Sequence, residues 1–377
     1  MKKLLLIALL AGACTVPRAA RAPATRSPTL PQQPFVTGPY LLLGKPGQVF
    51  VAVKQPLEEP PVVEWWVDGG EKHRVTAVAD DDLWVTTLND LPIGPKISYR
   101  VYSSAGDTPV YRFSAGSGPG EPFRFVAFGD TRTGHEVHRA VVEAAAEFEP
   151  DFLVHTGDMV EVGGIESQWD LFFQLERPLL AETPIIPSIG NHDESARGYY
   201  RHYFLQDYWT KGRRYYAYDW GQLRIVSVDV AIECREGCAQ YDFAEEVLAD
   251  THGPERFTLI SLHFPPYSSG HHGSDVGVQV SISQLARNHG VELVIAGHDH
   301  NYERTKPIDG TTYVVSGSAG APIREVRPRE FTAVARTEPH FCVFDVFTDR
   351  IEMQTVNLDG EVFDTATLLP NPPVAAQ

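Results

Sequence analysis

The sequence predicts two folded parts of the mixed α+β and α/β class: a small antiparallel β-sandwich, followed by a larger α/β domain. Residues 35–115 contain short alternating segments, among them VFVAVK, VVEWWVD, LWVTTL and ISYRVYSS, separated by Gly, Pro and Asp. This pattern is typical of a sandwich. Residues 121–367 instead alternate apolar strands with helical repeats, which is typical of an α/β domain. The stretch SAGSGPGEP between them reads as a linker.

The N-terminal residues precede both folded parts and predict export. Residues 1–14 (MKKLLLIALLAGAC) combine two lysines, a short apolar run and small residues, as a signal peptide does. Both an ordinary cleavage site and a bacterial lipoprotein signal ending at Cys14 fit this stretch. Residues 15–34 are rich in Pro, Ala and Arg and predict a disordered tether. We therefore expect a periplasmic or cell-envelope protein, lipid-anchored at Cys14 or otherwise secreted.

The α/β part follows a regular order of strands and helices. FRFVAFGD predicts the first strand, and in the helix after it Val137, Val141, Ala144 and Phe148 recur at helical spacing. A helix ending at Gly290 precedes the apolar strand VELVIAGHDH. TTYVVSGSAG, HFCVFDVF and RIEMQTVNL predict strands that complete the sheet. The alternation predicts a mainly buried sheet.

Charge and cysteine content limit the partners and the redox state. The formal net charge is −17, which argues against binding of a nucleic-acid duplex, because phosphate backbones are held by clustered Lys and Arg. A phosphate would need a local cation such as a metal ion. Cys234 and Cys238, in ECREGC, are close enough in sequence for a disulfide, although two free thiols remain the alternative. No oligomeric state is predicted.

Polar side chains follow the predicted strands of the α/β part at the point where each strand ends. Ligands of open α/β sheets lie outside the carboxyl ends of the strands, so we expect these side chains to converge. Carboxylates and imidazoles together suit transition metals such as Zn, Mn and Fe. The side chains in question are Asp130, Asp158, Asn191, His192, His263, His298 and His300.

The ordered motifs resemble those of the calcineurin-like metallophosphoesterases. The motifs are GD (129–130), GD (157–158), GNHD (190–193), H-x-P (263–265) and GHDHNYER (297–304). The tail H-x-H-x-Y-E-R and the preceding sandwich are most similar to the purple acid phosphatase branch. The resemblance covers roughly residues 38–367 and implies a fibronectin-III-like sandwich followed by a four-layer αββα catalytic domain.

The resemblance also implies roles for individual residues around two metal ions, Fe, Zn or Mn. Asp158 would bridge both ions, and His192 would face the substrate, oriented by Asp193. The centre would hydrolyse a small phosphate ester, most simply a phosphomonoester, by means of a metal-activated hydroxide. The remaining ligands would divide into Asp130 and His300 for one ion and Asn191, His263 and His298 for the other.

Two positions depart from the family pattern. Glu161 stands where purple enzymes have a ligand tyrosine, and Arg132 stands where the wider family has a histidine. We hypothesise that Glu161 or water completes the first metal site and that Arg132 faces the phosphate as a bidentate donor; purple colour is not expected. His272, in SSGHHGSD, resembles a substrate-contacting histidine of plant members and is a candidate phosphate contact.

Two alternative functions remain open. The same centre could act on phosphodiesters or nucleotides, with the aromatic and basic loop 195–215 selecting the leaving group or merely packing on the domain. A protein of another class, a surface binding protein with a degenerate centre, is also compatible with the tether, the sandwich and the altered first metal site.

Overall fold

The computed structural model describes residues 34–205, 210, 212, 214–230, 235–250 and 257–371. The predicted signal peptide with Cys14, nearly all of the predicted tether, and Cys234 of the predicted disulfide lie outside the described residues. None of the described helices has the length and apolarity needed to cross a membrane.

Strands dominate the described part of the chain. The N-terminal strands are β1 (Thr37–Leu43), β2 (Val49–Lys54), β3 (Val62–Val67), β4 (His73–Thr76), β5 (Val78–Asp80), β6 (Leu83–Leu88), β7 (Ile97–Tyr102) and β8 (Tyr111–Phe113). The later strands are β9 (Phe123–Phe128), β10 (Phe152–His155), β11 (Ile185–Pro187), β12 (Tyr216–Trp220), β13 (Leu223–Ser227), β14 (Phe257–Ser261), β15 (Leu293–Ala296), β16 (Tyr302–Thr305), β17 (Thr312–Ser316), β18 (Thr332–Arg336), β19 (His340–Val346), β20 (Ile351–Asn357) and β21 (Val362–Leu368).

The helices among the described residues all belong to the α/β part. They are α1 (His135–Ala146), α2 (Glu166–Leu180), α3 (Arg197–Tyr203), α4 (Ala239–Ala249) and α5 (Val276–His289), with a short 3₁₀ turn at Asp193–Ala196. The prediction that a helix stops at Gly290 is confirmed, because α5 ends there on a left-handed residue with a φ of 66°, a conformation that glycine adopts without steric cost.

The α/β part is a four-layer sandwich of helices, two sheets and helices. One sheet has the order β21-β20-β19-β9-β10-β11-β1-β2-β6-β5 and the other β12-β13-β14-β15-β17-β16-β18. Successive side chains of a strand face opposite ways: Phe125 packs between the two sheets, whereas Val126 packs against α1 and α2. On the far side, Ile260 and Val294 pack against α4 and α5. The predicted layer arrangement is confirmed for this part.

The N-terminal strands are not separated from the α/β part as the sequence suggested. A four-stranded sheet, β4-β3-β7-β8, shares a core with β1 and β2. However, β1 also pairs in parallel with β11, with Leu42 opposite Ile185, so β1, β2, β6 and β5 continue the larger sheet of the α/β part. The pairing partner lies more than a hundred residues away, which local sequence patterns do not encode. An independent fibronectin-III-like domain therefore remains a prediction.

A buried lysine links the N-terminal strands to helices α2 and α3. The ammonium of Lys54, at the end of β2, donates to the Tyr203 hydroxyl at 3.0 Å and forms ion pairs with Asp82 at 2.8 Å, Asp170 at 2.9 Å and Glu166. Only 11% of the Lys54 side chain is exposed. Removing the cation would take away the positive charge that the Asp82, Asp170 and Glu166 carboxylates share and leave them close together.

We expect Lys54→Met to lower the free energy of unfolding by about 3–5 kcal/mol, the range for breaking a buried ion pair on one side. Urea denaturation of the full chain measures this. Lys96→Met is the matched control, because Lys96 pairs with Asp151 while 47% of its side chain is exposed; exposed pairs contribute about 0–1 kcal/mol. Equal losses in both variants would contradict this role of Lys54.

Candidate metal centre

The predicted ligands follow parallel strands of both sheets and meet at one end of the sandwich. Strands β9, β10 and β11 are parallel in one sheet, and β13, β14 and β15 are parallel in the other. Parallel neighbours place their carboxyl ends on the same side. The residues that follow these ends are Asp130 after β9, Asp158 after β10, Asn191 after β11, His263 after β14, and His298 and His300 after β15.

Side chains from these separate segments come within a few ångströms of one another. Nε2 of His263 lies 3.3 Å from Oδ1 of Asp158 and 3.1 Å from Oδ1 of Asn191. Nε2 of His300 lies 3.5 Å from Oδ1 of Asp130. The ligand atoms of Asp130, Asp158 and His263 all lie within 4.8 Å of one another. The predicted convergence of the segments is therefore present in the structure.

Backbone carbonyls fix which nitrogen of each buried imidazole faces the centre. Nδ1 of His263 donates to the carbonyl of Thr156 at 2.8 Å, and Nδ1 of His300 donates to the carbonyl of Pro322 at 2.8 Å. A carbonyl only accepts, so both Nδ1 atoms carry hydrogen. In the neutral imidazole this leaves the Nε2 lone pair directed into the centre, as in metal-binding histidines generally.

The donor set fits a cation. Among the described residues, Oδ1 of Asp130 is buried and has no hydrogen-bond partner. A buried carboxylate oxygen without a donor is costly unless a positive charge lies close by. In addition, the Nε2 lone pair of neutral His263 would face the oxygens of Asp158 and Asn191, so a cation or a proton must separate them.

The charges of the centre shift the pKa values of its members. Burial lowers the pKa of His263, but the carboxylates of Asp158 and Asp130 outweigh burial and raise it to about 9. Burial likewise raises the pKa of Asp158, yet the His263 imidazole brings it below its usual range. Burial and the neighbouring His263 lower the pKa of His298 to about 2. A metal ion would replace the proton on His263, since metal ligation requires a neutral imidazole.

Three of the predicted ligands have backbone conformations that are rare outside glycine. The φ angles are 56° at Asp130, 54° at Asp158 and 69° at His298. Left-handed backbone at non-glycine residues costs of order 1 kcal/mol or more each and is concentrated at functional sites. These turns direct the ligands into the centre rather than along the strand axes, a feature that the sequence did not reveal.

His192 lies at the centre, but the prediction that Asp193 orients its imidazole is wrong. Nδ1 of His192 instead donates to the carbonyl of Glu161 at 2.7 Å. The buried Asp193 carboxylate accepts backbone N–H groups of Met159 at 2.9 Å, Val160 at 3.2 Å and Gly190 at 2.9 Å. Asp193 therefore holds the loop after β10 against the GNHD turn and acts as a positioning residue.

Arg132 and Glu161 also differ from the expectation. Nε of Arg132 lies 3.2 Å from Oδ2 of Asp158, Nη2 lies 3.4 Å from Nε2 of His300, and Nη1 is paired with the Glu161 carboxylate. Each guanidinium nitrogen thus faces a predicted ligand, and this contradicts an outward, bidentate orientation toward a phosphate. The structure gives the Glu161 carboxylate an ion pair, so its role as a metal ligand remains a prediction.

His272 lies beside the centre, held by an aspartate that sequence reasoning missed. Its ring lies 4.2 Å from that of His298, centroid to centroid, and its Nε2 faces the Arg324 guanidinium. The buried Asp299, between His298 and His300 in sequence, accepts the backbone N–H of His272 at 2.8 Å and the hydroxyl of Ser268 at 2.5 Å. The aspartate between the two histidines of H-D-H was the signal available in the sequence.

The remaining motif residues and the loop 195–215 have structural contacts. Arg304 forms a bidentate ion pair with Asp364 at 2.7 and 2.8 Å, and the Tyr302 hydroxyl donates to the same carboxylate at 2.5 Å. Tyr200 and Tyr203 in α3 are fully buried in the core beside α2. The described part of the loop thus packs on the domain; residues 206–209, 211 and 213 lie outside the described residues.

Comparisons with known proteins agree with this centre. The calcineurin-like phosphoesterase family model matches residues 123–302, a segment that contains every predicted metal ligand. Over this segment the chain is similar to the calcineurin-like phosphoesterases. Several of the relatives that it matches are named purple acid phosphatases, in agreement with the resemblance of the H-x-H-x-Y-E-R motif.

Individual similarities are distant. The chain is 25% identical over 346 residues to a probable inactive purple acid phosphatase 1 of Arabidopsis thaliana, covering 70% of this chain and 56% of that protein. It is 27% identical over 216 residues to a nucleotide pyrophosphatase/phosphodiesterase of Hordeum vulgare, covering 45% and 58%. The purple acid phosphatase PPD1 of yellow lupin (Lupinus luteus) has the same fold, with a TM-score of 0.77, 20% identity, and 88% and 74% coverage. The chain thus spans little more than half of those two relatives' lengths.

Proposed function

We propose that this centre hydrolyses small phosphate esters with bound metal ions and that phosphomonoesters are its substrates. The observation that carries the proposal is the meeting of two carboxylates, an amide and the histidines from five strand ends around the partnerless Asp130 Oδ1. Packing alone does not require such an arrangement, because buried polar atoms are normally hydrogen-bonded.

The candidate ligands would be divided between two metal positions. Asp158, Asn191, His263 and His298 would hold one ion, and Asp130, Asp158 and His300 form the incomplete second half of the centre. A bound transition metal supplies Lewis acidity and lowers the pKa of a water toward ~7. The acidic chain, with its net charge of −17, would repel a phosphate without such ions. Metal identity, among Fe, Zn and Mn, remains open.

His192 would hold the proton for the leaving oxygen. Its Nδ1 donates to the Glu161 carbonyl, and its Nε2 lies 4.0 Å from Oδ2 of Asp158 in the centre. A general acid contributes about 10²–10⁴-fold to rate. Beside His298, the pair His272 and Arg324 would offer donors to the phosphate oxygens. Export of the protein and a lipid anchor at Cys14 stay predictions.

Phosphodiester or nucleotide hydrolysis is the second candidate, favoured by the similarity to the barley protein named a nucleotide pyrophosphatase/phosphodiesterase. A degenerate binding protein is the third, favoured by relatives named probable inactive and by the Arg132 contacts. All three candidate functions are compatible with this fold. They differ in which phosphate ester, if any, the protein hydrolyses.

We expect the full chain, loaded with Mn²⁺, Zn²⁺ or Fe²⁺, to release p-nitrophenol from its phosphate monoester faster than from a diester of the same phenol. The phenol is constant, so the ratio of kcat/KM values reports on the phosphoryl group alone. Chelation should remove turnover, and metal should restore it. A faster diester would select the second candidate, and no turnover with any of the three metals would select the third.

A further inference from the structure

The guanidinium of Arg132 occupies one half of the centre. Arg132 lies in the loop after β9, and only 10% of its side chain is exposed. Its nitrogens face Oδ2 of Asp158 at 3.2 Å, Nε2 of His300 at 3.4 Å and the carboxylate of Glu161. Two of these three partners are predicted ligands of the first metal, and the third stands where purple enzymes carry a ligand.

The contact with His300 places Arg132 in direct competition with a metal ion. Nδ1 of His300 donates to the Pro322 carbonyl, so Nε2 of the neutral ring bears the lone pair that a metal would take. The guanidinium has only donors, and Nη2–H therefore points at that lone pair. A guanidinium also stays positively charged and cannot itself ligate a cation.

The other half of the centre is arranged differently. Asp158 turns Oδ2 toward Arg132 but Oδ1 toward His263, at 3.3 Å, and Asn191 faces the same His263 nitrogen at 3.1 Å. The ring of His298 lies 5.1 Å from that of His263, centroid to centroid. Once a metal replaces the proton on His263, this half offers the Nε2 lone pair of His263 and the Oδ1 atoms of Asp158 and Asn191 to a single ion, with the His298 imidazole beside them.

We propose that the centre holds one metal ion tightly, at Asp158, Asn191, His263 and His298, and that the Arg132 guanidinium supplies a fixed positive charge in the other half. A second ion must displace the guanidinium from His300 and Asp158 and separate it from Glu161. The two halves then differ in affinity by a factor of about 10–100 or more, the range for altered surroundings of metal ligands. The inference rests on the proposed metal centre but not on turnover.

Metal stoichiometry tests the inference. The metal-free full chain is titrated with Mn²⁺, desalted and analysed for metal per chain, and electron paramagnetic resonance distinguishes an isolated Mn²⁺ ion from a spin-coupled pair. We expect one retained ion and an isolated-ion spectrum for the wild type. Arg132→His, which removes the charge and adds an imidazole donor, should retain two ions and give a coupled spectrum.

Arg132→Lys is the matched control, because it keeps the positive charge but lacks the planar guanidinium group. We expect this variant to retain one metal ion per chain, as the wild type does. Two equally tight ions in the wild type, or one in Arg132→His with its fold intact by circular dichroism, would overturn the inference. Ester hydrolysis is measured on the same samples. One ion without turnover refutes the proposed function alone, two ions with turnover refute only the inference, and no retained ion refutes both.

Discussion

Asp158→Ala should abolish tight metal binding and reduce ester hydrolysis by roughly three orders of magnitude, because metal-ion stabilisation of a transition state amounts to several kcal/mol. The Asp158 carboxylate lies between the two halves of the centre. Oδ1 faces His263 at 3.3 Å and accepts the backbone N–H of His192 at 3.0 Å, whereas Oδ2 faces Arg132 at 3.2 Å. Calorimetric titration with Mn²⁺ and steady-state kinetics measure both effects.

Two further variants keep this test interpretable. Asp158→Asn preserves the shape and one carbonyl oxygen, so it should fold as the wild type does while still losing most activity. Asp242→Asn makes the same chemical change on an exposed position of α4 and should leave both readouts unchanged. Activity within tenfold of the wild type in Asp158→Ala would refute the assigned role.

Gly190→Ala should also reduce activity strongly, although it removes no ligand. A Cβ atom at Gly190 would lie 2.2 Å from both the backbone nitrogen and Oδ1 of Asp158, far inside van der Waals contact. These are fixed backbone and ligand atoms, so the GNHD turn itself must move, and it carries Asn191 and His192. Because misplacement by about 1 Å costs on the order of 10²-fold in rate, we expect a loss of that size with metal affinity also reduced.

Gly198→Ala is the matched control, since an added Cβ there meets nothing within 4 Å. Gly198 lies in α3, where alanine is the better helix former by about 1 kcal/mol, so the variant should be at least as stable as the wild type and fully active. Thermal denaturation and kcat/KM are compared for the pair. Full activity in Gly190→Ala would show that the close approach to Asp158 is unimportant.

The convergence of the candidate ligands was predictable because it depends on residue type and on the order of the segments along the chain. Asp130, Asp158, Asn191, His263, His298 and His300 each follow an apolar strand, and parallel strands bring such positions together whatever the details of packing. The helix stop at Gly290 was predictable for the same reason, since it depends on one residue's own backbone preference.

Contacts between distant segments were not predictable in this way. The pairing of β1 with β11 depends on which edge of the sheet is free to accept another strand. Local sequence patterns do not indicate this. The directions of Arg132 and Asp193 depend on side-chain torsions that their surroundings select: Arg132 turns toward Asp158 and His300, and the buried Asp193 turns toward three backbone N–H groups. Both residues were recognised as important, but their partners were assigned wrongly.

Anomalous diffraction from crystals of the full chain grown with Mn²⁺ or Zn²⁺ tests the central claim most directly. Data on both sides of the metal's absorption edge locate the ion without reference to activity. We predict the strongest anomalous peak within ligand distance, about 2.0–2.2 Å, of His263 Nε2 and an oxygen of Asp158. A strongest peak elsewhere in the chain, or no peak near His263 at saturating metal, would contradict a metal centre built from these strand ends.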